Sequence, residues 1–126
     1  MTENQVSNDN PRMPGRPEIL APAGNKAAFL AALAAEADAI YCGLKQFSAR
    51  MAAENFDLST LASLTRLAHR RRIRVYVTLN TLIKPLEIDP LGELINVLQQ
   101  EVGPDGLICQ DLAVVELARR VGFSGE

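Results

Sequence analysis

Asp38-Ala39-Ile40-Tyr41-Cys42-Gly43 and Asp105-Gly106-Leu107-Ile108-Cys109 decide the fold of this chain. Each opens on an aspartate, runs through apolar side chains and ends on a cysteine. Short apolar runs bounded by turn residues read as buried strands of a parallel sheet. Between them lies Ile73-Arg74-Val75-Tyr76-Val77-Thr78-Leu79, of strong β propensity. Ahead of them Glu18-Ile19-Leu20-Ala21 stops at Pro22-Ala23-Gly24. The spaces between the runs carry helical periods. Asn25 caps a helix to about Glu36, rich in alanine, with Phe29, Leu30 and Leu33 as its apolar stripe. Asp57 opens a second, with Leu58, Leu61, Ala62, Thr65 and Ala68 on one face. Asp89-Pro90 opens a third, the aspartate as cap and the proline where no N–H is needed. Its buried face is Leu91, Leu94, Ile95, Leu98 and Val102, and Gly103-Pro104 ends it. Asp111 starts a last helix that stops near Gly122.

Strand then helix, four times over, predicts parallel strands joined by right-handed crossovers. The two echoing runs sit two βα units apart, the offset at which barrel strands share an interior layer. No Gly-x-Gly-x-x-Gly follows the first run, which counts against the competing doubly wound open sheet. The expected fold class is α/β: four βα units, the first half of a TIM-like (β/α)8 barrel. A complete barrel needs ~250 residues, and this sequence has 126. Residues 17–126 are therefore expected to form a partial barrel domain, truncated from a longer protein. Residues 1–16, polar and without periodicity, read as a disordered tail.

Composition narrows the function. The sequence is 48% hydrophobic and 22% charged with a net charge of −2, ordinary for a soluble globular domain. No stretch approaches ~20 unbroken apolar residues, so no membrane span is expected. The N-terminus has no apolar signal region, and a cytoplasmic location is the default. Slight negative charge argues against a dedicated electrostatic nucleic-acid binder. Two Tyr, four Phe and no Trp leave no visible stacking platform for single strands. Cys42 and Cys109 make neither a metal motif nor a disulfide framework. They read as buried thiols ending equivalent strands, facing each other across the interior.

Several blocks carry a resemblance. Leu20-Ala21-Pro22-Ala23-Gly24, Asp38 to Gly43, Phe47-Ser48-Ala49-Arg50 with Asn55-Phe56, Val75 to Thr81 and Gln110-Asp111-Leu112 resemble, in order, the start of peptidase family U32. The resemblance spans roughly Pro17 to Arg120. It implies one of two activities for intact members: collagenase-like peptidase activity, or oxygen-independent hydroxylation of an RNA base in tRNA or rRNA (or of ubiquinone precursors). The hydroxylating members carry an iron–sulfur cluster on four cysteines beyond the matched region. Cys42 and Cys109 are not among those ligands, so no cofactor is expected within this chain.

Function in parallel barrels sits at the C-terminal ends of the strands. The residues placed there are Ala23, Gly24, Tyr41, Phe47, Ser48, Arg50, Asn55, Thr78, Asn80, Gln110 and Asp111, read as substrate-binding, with no catalytic residue and no metal ligand assigned. Arg50 offers a planar fork for phosphate or carboxylate, or else a loop ion pair. Asn80, on one strand face with Thr78, reads either as a hydrogen-bonding group for a base edge or as a turn residue. Asp111 reads more as a helix cap than as a catalytic acid. Ala23-Gly24 before a helix can cradle a phosphate, though a tight turn explains it equally. His69 with Arg66, Arg70, Arg71, Arg72 and Arg74 lies at the opposite end, where a solvated cluster complementing the helix dipole is favoured over an RNA contact. A peptidase needs a nucleophile with a base or a liganded metal, and neither is visible. Hence the favoured reading is the N-terminal part of an RNA-hydroxylating U32 protein, with RNA or a small anionic substrate as partner. The alternatives are a collagenase-like hydrolase, and a non-catalytic half-barrel that self-associates or docks through open sheet edges.

Overall fold

A computed structural model describes residues 15–47 and 55–126 of the chain. Four strands, β1 (Leu20–Ala23), β2 (Ala39–Gly43), β3 (Arg74–Leu79) and β4 (Gly106–Cys109), alternate with four helices, α1 (Lys26–Ala34), α2 (Leu58–Arg70), α3 (Ile88–Val97) and α4 (Leu112–Arg120). The sheet is parallel throughout, in the order β1-β2-β3-β4. This is the α/β arrangement of half of a TIM-like barrel, as the pattern predicts. The expected tail over residues 1–16 lies outside the described residues except for Gly15 and Arg16, and Arg16 reaches Asp38 at 3.6 Å.

Register assigns every strand side chain to a face. Ile40 pairs with Val75, Cys42 with Val77, and Leu79 with Cys109. Paired residues of parallel strands project to the same side, so these form one face. They share a single buried core with Phe29 and Leu33 of α1, Leu61, Leu64 and Ala68 of α2, Leu91 and Ile95 of α3, and Val114 of α4. The opposite face carries Pro22, Tyr41, Tyr76, Thr78 and Ile108, of which Pro22 is exposed and Tyr41, Tyr76 and Ile108 are half-buried. In a barrel that face is the interior. Cys42 and Cys109 thus do not face each other across the interior. Alternation puts both among the helix-facing residues, on the two strands that flank β3.

The helix caps follow local chemistry. Asn25, Asp57 and Asp111 accept hydrogen bonds from Ala28, Thr60 and Ala113 N–H groups at 2.8, 2.8 and 2.9 Å, each satisfying an orphan donor of its first turn. Two boundaries differ from expectation. β1 runs through Pro22 to Ala23 rather than stopping at Ala21, because an edge strand tolerates a proline. α3 starts at Ile88, after a 3-10 turn over Pro85–Glu87 in which the Glu87 carboxylate accepts the Lys84 N–H at 2.8 Å. Asp89 therefore lies inside the first turn and is not the cap. Past Leu98 the helix widens into a π turn, closed by Gly103 N–H donating to the Leu98 carbonyl at 2.8 Å, with Gly103 left-handed at φ 67°.

The aspartates of the two echoing runs do one job. Asp38 N–H donates to the Ile19 carbonyl, and its Oδ2 accepts the Ile19 N–H at 2.6 Å. Asp105 N–H donates to the Val75 carbonyl, and its Oδ2 accepts the Val75 N–H at 2.7 Å. Each aspartate clamps the preceding strand at the N-terminal edge of the sheet.

Candidate functional site

At the C-terminal edge, the β1–α1 turn and the segment before α2 are drawn together. Asn55, left-handed at φ 51°, donates its N–H to the Gly24 carbonyl at 2.8 Å. Phe56 N–H donates to the Gly43 carbonyl at 3.0 Å, and Leu44 and Phe56 form a parallel bridge. The Phe56 ring is 3% exposed and meets Phe29 of α1 edge-to-face, centroids 6.1 Å apart at 77°. Apolar burial of one ring thus fixes where the long β2–α2 connection returns to the sheet.

Beside that anchor is a cleft of about 430 Å³ lined by Asn25, Lys26, Lys45, Asn55, Phe56, Asp57 and Thr60. The starts of α1 and α2 converge on it. Hydrogen bonds from Thr60, first its N–H, and from Ser59, with Lys45 nearby, hold the Asp57 carboxyl below the usual carboxylate range. Two ammonium groups and two helix starts make the cleft suited to an anionic group, with Asp57 as the opposing charge that limits it. Lys26 and Thr60 are absent from the residues picked out by sequence. Their signal was their position one and three residues after capping Asn25 and Asp57, on helices whose starts share an edge.

The expected binding residues fall into separate groups. Ala23 is buried, while Gly24 and Asn55 meet at the cleft. Phe47, left-handed at φ 57°, packs on the core. Ser48 and Arg50 lie outside the described residues. Tyr41 and Thr78 are on the interior face, and the Thr78 hydroxyl donates to the Cys42 carbonyl at 3.3 Å. Thr78 pairs with Ile108, and Asn80 and Gln110 directly follow the last paired residues of β3 and β4, Leu79 and Cys109. Asp111 splits its carboxylate, Oδ1 to the Ala113 N–H and Oδ2 to the Ile83 N–H, both at 2.9 Å. Those backbone bonds lower its pKa and tie the β3–α3 connection to α4.

Among the described residues, no nucleophile–base pair is assembled at this edge. His69 lies at the far end, its Nε2 2.8 Å from Asp105 Oδ2. Burial pushes the Cys42 thiol up to about 12, and Cys109 moves in the same direction for the same reason. An iron–sulfur cluster needs deprotonated thiolates. Cys42 and Cys109 sit on β2 and β4 with β3 between them, and no third His, Cys, Asp or Glu joins them in a metal-holding group among the described residues, so they do not fit such a cluster.

A family model for Peptidase family U32 matches residues 24–126. The chain belongs to that family. It is 41% identical over 102 residues to the 23S rRNA 5-hydroxycytidine C2501 synthase of Escherichia coli (strain K12), covering 81% of this chain and 15% of that protein. It is 31% identical over 106 residues to the tRNA hydroxylation protein P1 of Bacillus subtilis (strain 168), covering 84% of this chain and 25% of the relative. The U32 chain therefore spans a quarter or less of the length of these two relatives. Its fold is similar to the solved U32 peptidase Mk0906, with a TM-score of 0.61 at 13% identity over 89% of this chain and 49% of that one. No helix among the described residues is long and apolar enough to cross a membrane.

Proposed function

We propose that this chain is the substrate-binding half-barrel of a U32 protein that takes part in hydroxylating an RNA base. The observation that carries the reading is the chemistry gathered at the C-terminal edge. Two carboxamides, Asn80 and Gln110, directly follow the ends of the neighbouring strands β3 and β4, two lysines line a cleft at the same edge of the sheet, and the described residues supply no nucleophile–base pair. A carboxamide presents a donor and an acceptor together, which matches the edge of an unpaired pyrimidine. Lys26 and Lys45 complement a backbone phosphate. The chain's share of the reaction is to hold and orient the nucleotide, and the redox chemistry belongs to groups outside the described residues. An iron–sulfur cluster in the intact protein is the expected source.

Nucleoside mass spectrometry of rRNA and tRNA from a strain lacking the gene tests this. A hydroxylated pyrimidine should disappear, return with the wild-type gene, and return only partly with Asn80→Ala or the Lys26→Gln/Lys45→Gln pair. An unchanged nucleoside profile in the deletion strain rejects the reading. Cleavage of gelatin by the purified chain, lost in those same variants, would favour a hydrolase instead.

A further inference from the structure

We propose that the C-terminal turn of α2 is a docking surface for the phosphate backbone of RNA, at the end of the half-barrel opposite the candidate site. The choice of RNA rests on the function proposed above. Arg66 and Arg70 are one helical turn apart on the exposed face of α2, and Arg71 and Arg72 continue the charge through the turn. All four side chains are exposed. Of the nearby acids, Glu18 pairs with Arg74, Asp38 with Arg16, and Asp105 with His69. Among the described residues Arg70 and Arg71 form no ion pair, and Arg66 reaches only the Ser63 hydroxyl at 3.3 Å. Glu36 and Glu101, on the flanking elements, pair with none of the three.

A chain of net charge −2 thus places three guanidinium groups without an ion pair, those of Arg66, Arg70 and Arg71, on one helix end. Helix-dipole complementation accounts for one or two such charges within the last turn. It does not account for Arg66, a full turn earlier. The stripe holds no Phe, Tyr or Trp, and its guanidinium forks suit phosphate oxygens. α2 is about 20 Å long at 1.5 Å per residue. An RNA held at this end therefore presents a segment some distance from the backbone contact to the opposite edge. Such contacts orient the substrate without reading its sequence.

Fluorescence polarisation with a labelled stem-loop RNA, titrated over 50–200 mM salt, tests the proposal on the purified full chain. Each phosphate contact contributes about −0.7 to −0.9 to the slope of log K against log salt. Arg66→Gln/Arg70→Gln/Arg71→Gln should weaken binding at least tenfold and flatten the slope by about 2. The Arg119→Gln/Arg120→Gln control on α4 should leave both nearly unchanged. Equal affinity and slope for wild type and triple variant overturn the proposal, as does an equal loss in the control. Phosphatidylserine vesicles and a polyglutamate peptide serve as competing probes. If either binds as tightly as RNA with the same arginine dependence, the assignment to RNA is wrong. Circular dichroism melts confirm that the variants fold. RNA binding through α2 in a protein whose deletion leaves every nucleoside unchanged would refute the function proposed above and leave this surface standing.

Discussion

Phe56→Ala is the sharpest test of how the candidate site is built. The ring is 3% exposed, lines the cleft, and meets Phe29 edge-to-face at 6.1 Å. Truncating a phenylalanine this buried costs about 3–5 kcal/mol in transfer and cavity terms. About 0.5–1.5 kcal/mol of that belongs to the aromatic pair itself. For a domain of this size, ~4 °C per kcal/mol converts the loss to a fall in Tm of about 12–20 °C. Thermal and urea unfolding followed by circular dichroism measure both quantities. A double-mutant cycle with Phe29→Leu and Phe56→Leu isolates the ring contact, and a coupling near 1 kcal/mol is expected. A cost under about 1 kcal/mol for Phe56→Ala, far below the buried-ring range, would mean that the β2–α2 connection is not pinned by this ring. Zero coupling would remove the edge-to-face contact from the account.

Three further outcomes follow from the geometry. A Cβ on Gly106 would sit 2.7 Å from the Glu126 carbonyl oxygen and 2.8 Å from the Tyr76 ring, so Gly106→Ala should destabilise by about 1–3 kcal/mol, and Tyr76→Leu in the same chain should recover part of that in urea melts. Thr65 is fully buried on α2 with its hydroxyl unpartnered. The near-isosteric Thr65→Val should therefore raise stability by about 1 kcal/mol, and a loss would show that the hydroxyl has a partner. Asp57 and Asp111 have lowered folded-state pKa values because backbone N–H groups bind their carboxylates. Their stabilisation is thus present above the unfolded carboxyl value of about 3.9 and is lost as pH falls through the lower folded values. Acid titration should show Asp57→Asn/Asp111→Asn less sensitive than wild type below about pH 4.

What could be read from the sequence is what local chemistry decides. Asn25, Asp57 and Asp111 announce helix starts because an N-cap acts within three residues of itself, and Gly103 announces an end because it takes the left-handed conformation. β4 is bounded by Asp105 and by the Gln110-Asp111 turn, and its limits are plain. β1 was harder, since whether Pro22 breaks a strand depends on that strand being at an edge, which is a property of the sheet. Likewise Pro85 and Glu87 build a turn that displaces Asp89 from the cap, and two adjacent start signals compete. The cleft was the least legible feature. Lys26, Lys45 and Thr60 belong to three segments, and long-range contacts bring them together: the bridge between Leu44 and Phe56, the Asn55–Gly24 hydrogen bond and the Phe29–Phe56 ring contact. Such long-range contacts leave no periodic trace. The direction of Cys42 was missed because matching strand ends say which residues are equivalent, not which face they take.

The repeated aspartate carries one step further. Asp38 and Asp105 each trade two hydrogen bonds at the start of the preceding strand, with Ile19 just ahead of β1 and Val75, second in β3. A slip of one residue in either pair would turn Ile40 or Val77 from the helix layer to the open face, because side-chain direction has a period of two. A clamp at the entrance of alternate strand pairs blocks that slip where the ladder begins. Both clamps sit at the N-terminal edge, the stabilising end of barrel folds, while the cleft, Asn80 and Gln110 sit at the other, where chemistry is hosted. The echo that marks the fold is therefore a register device, and its aspartates belong to stability rather than to the reaction. Asp105→Asn and Asp38→Asn should accordingly lower the unfolding free energy without altering how the C-terminal edge binds its ligand.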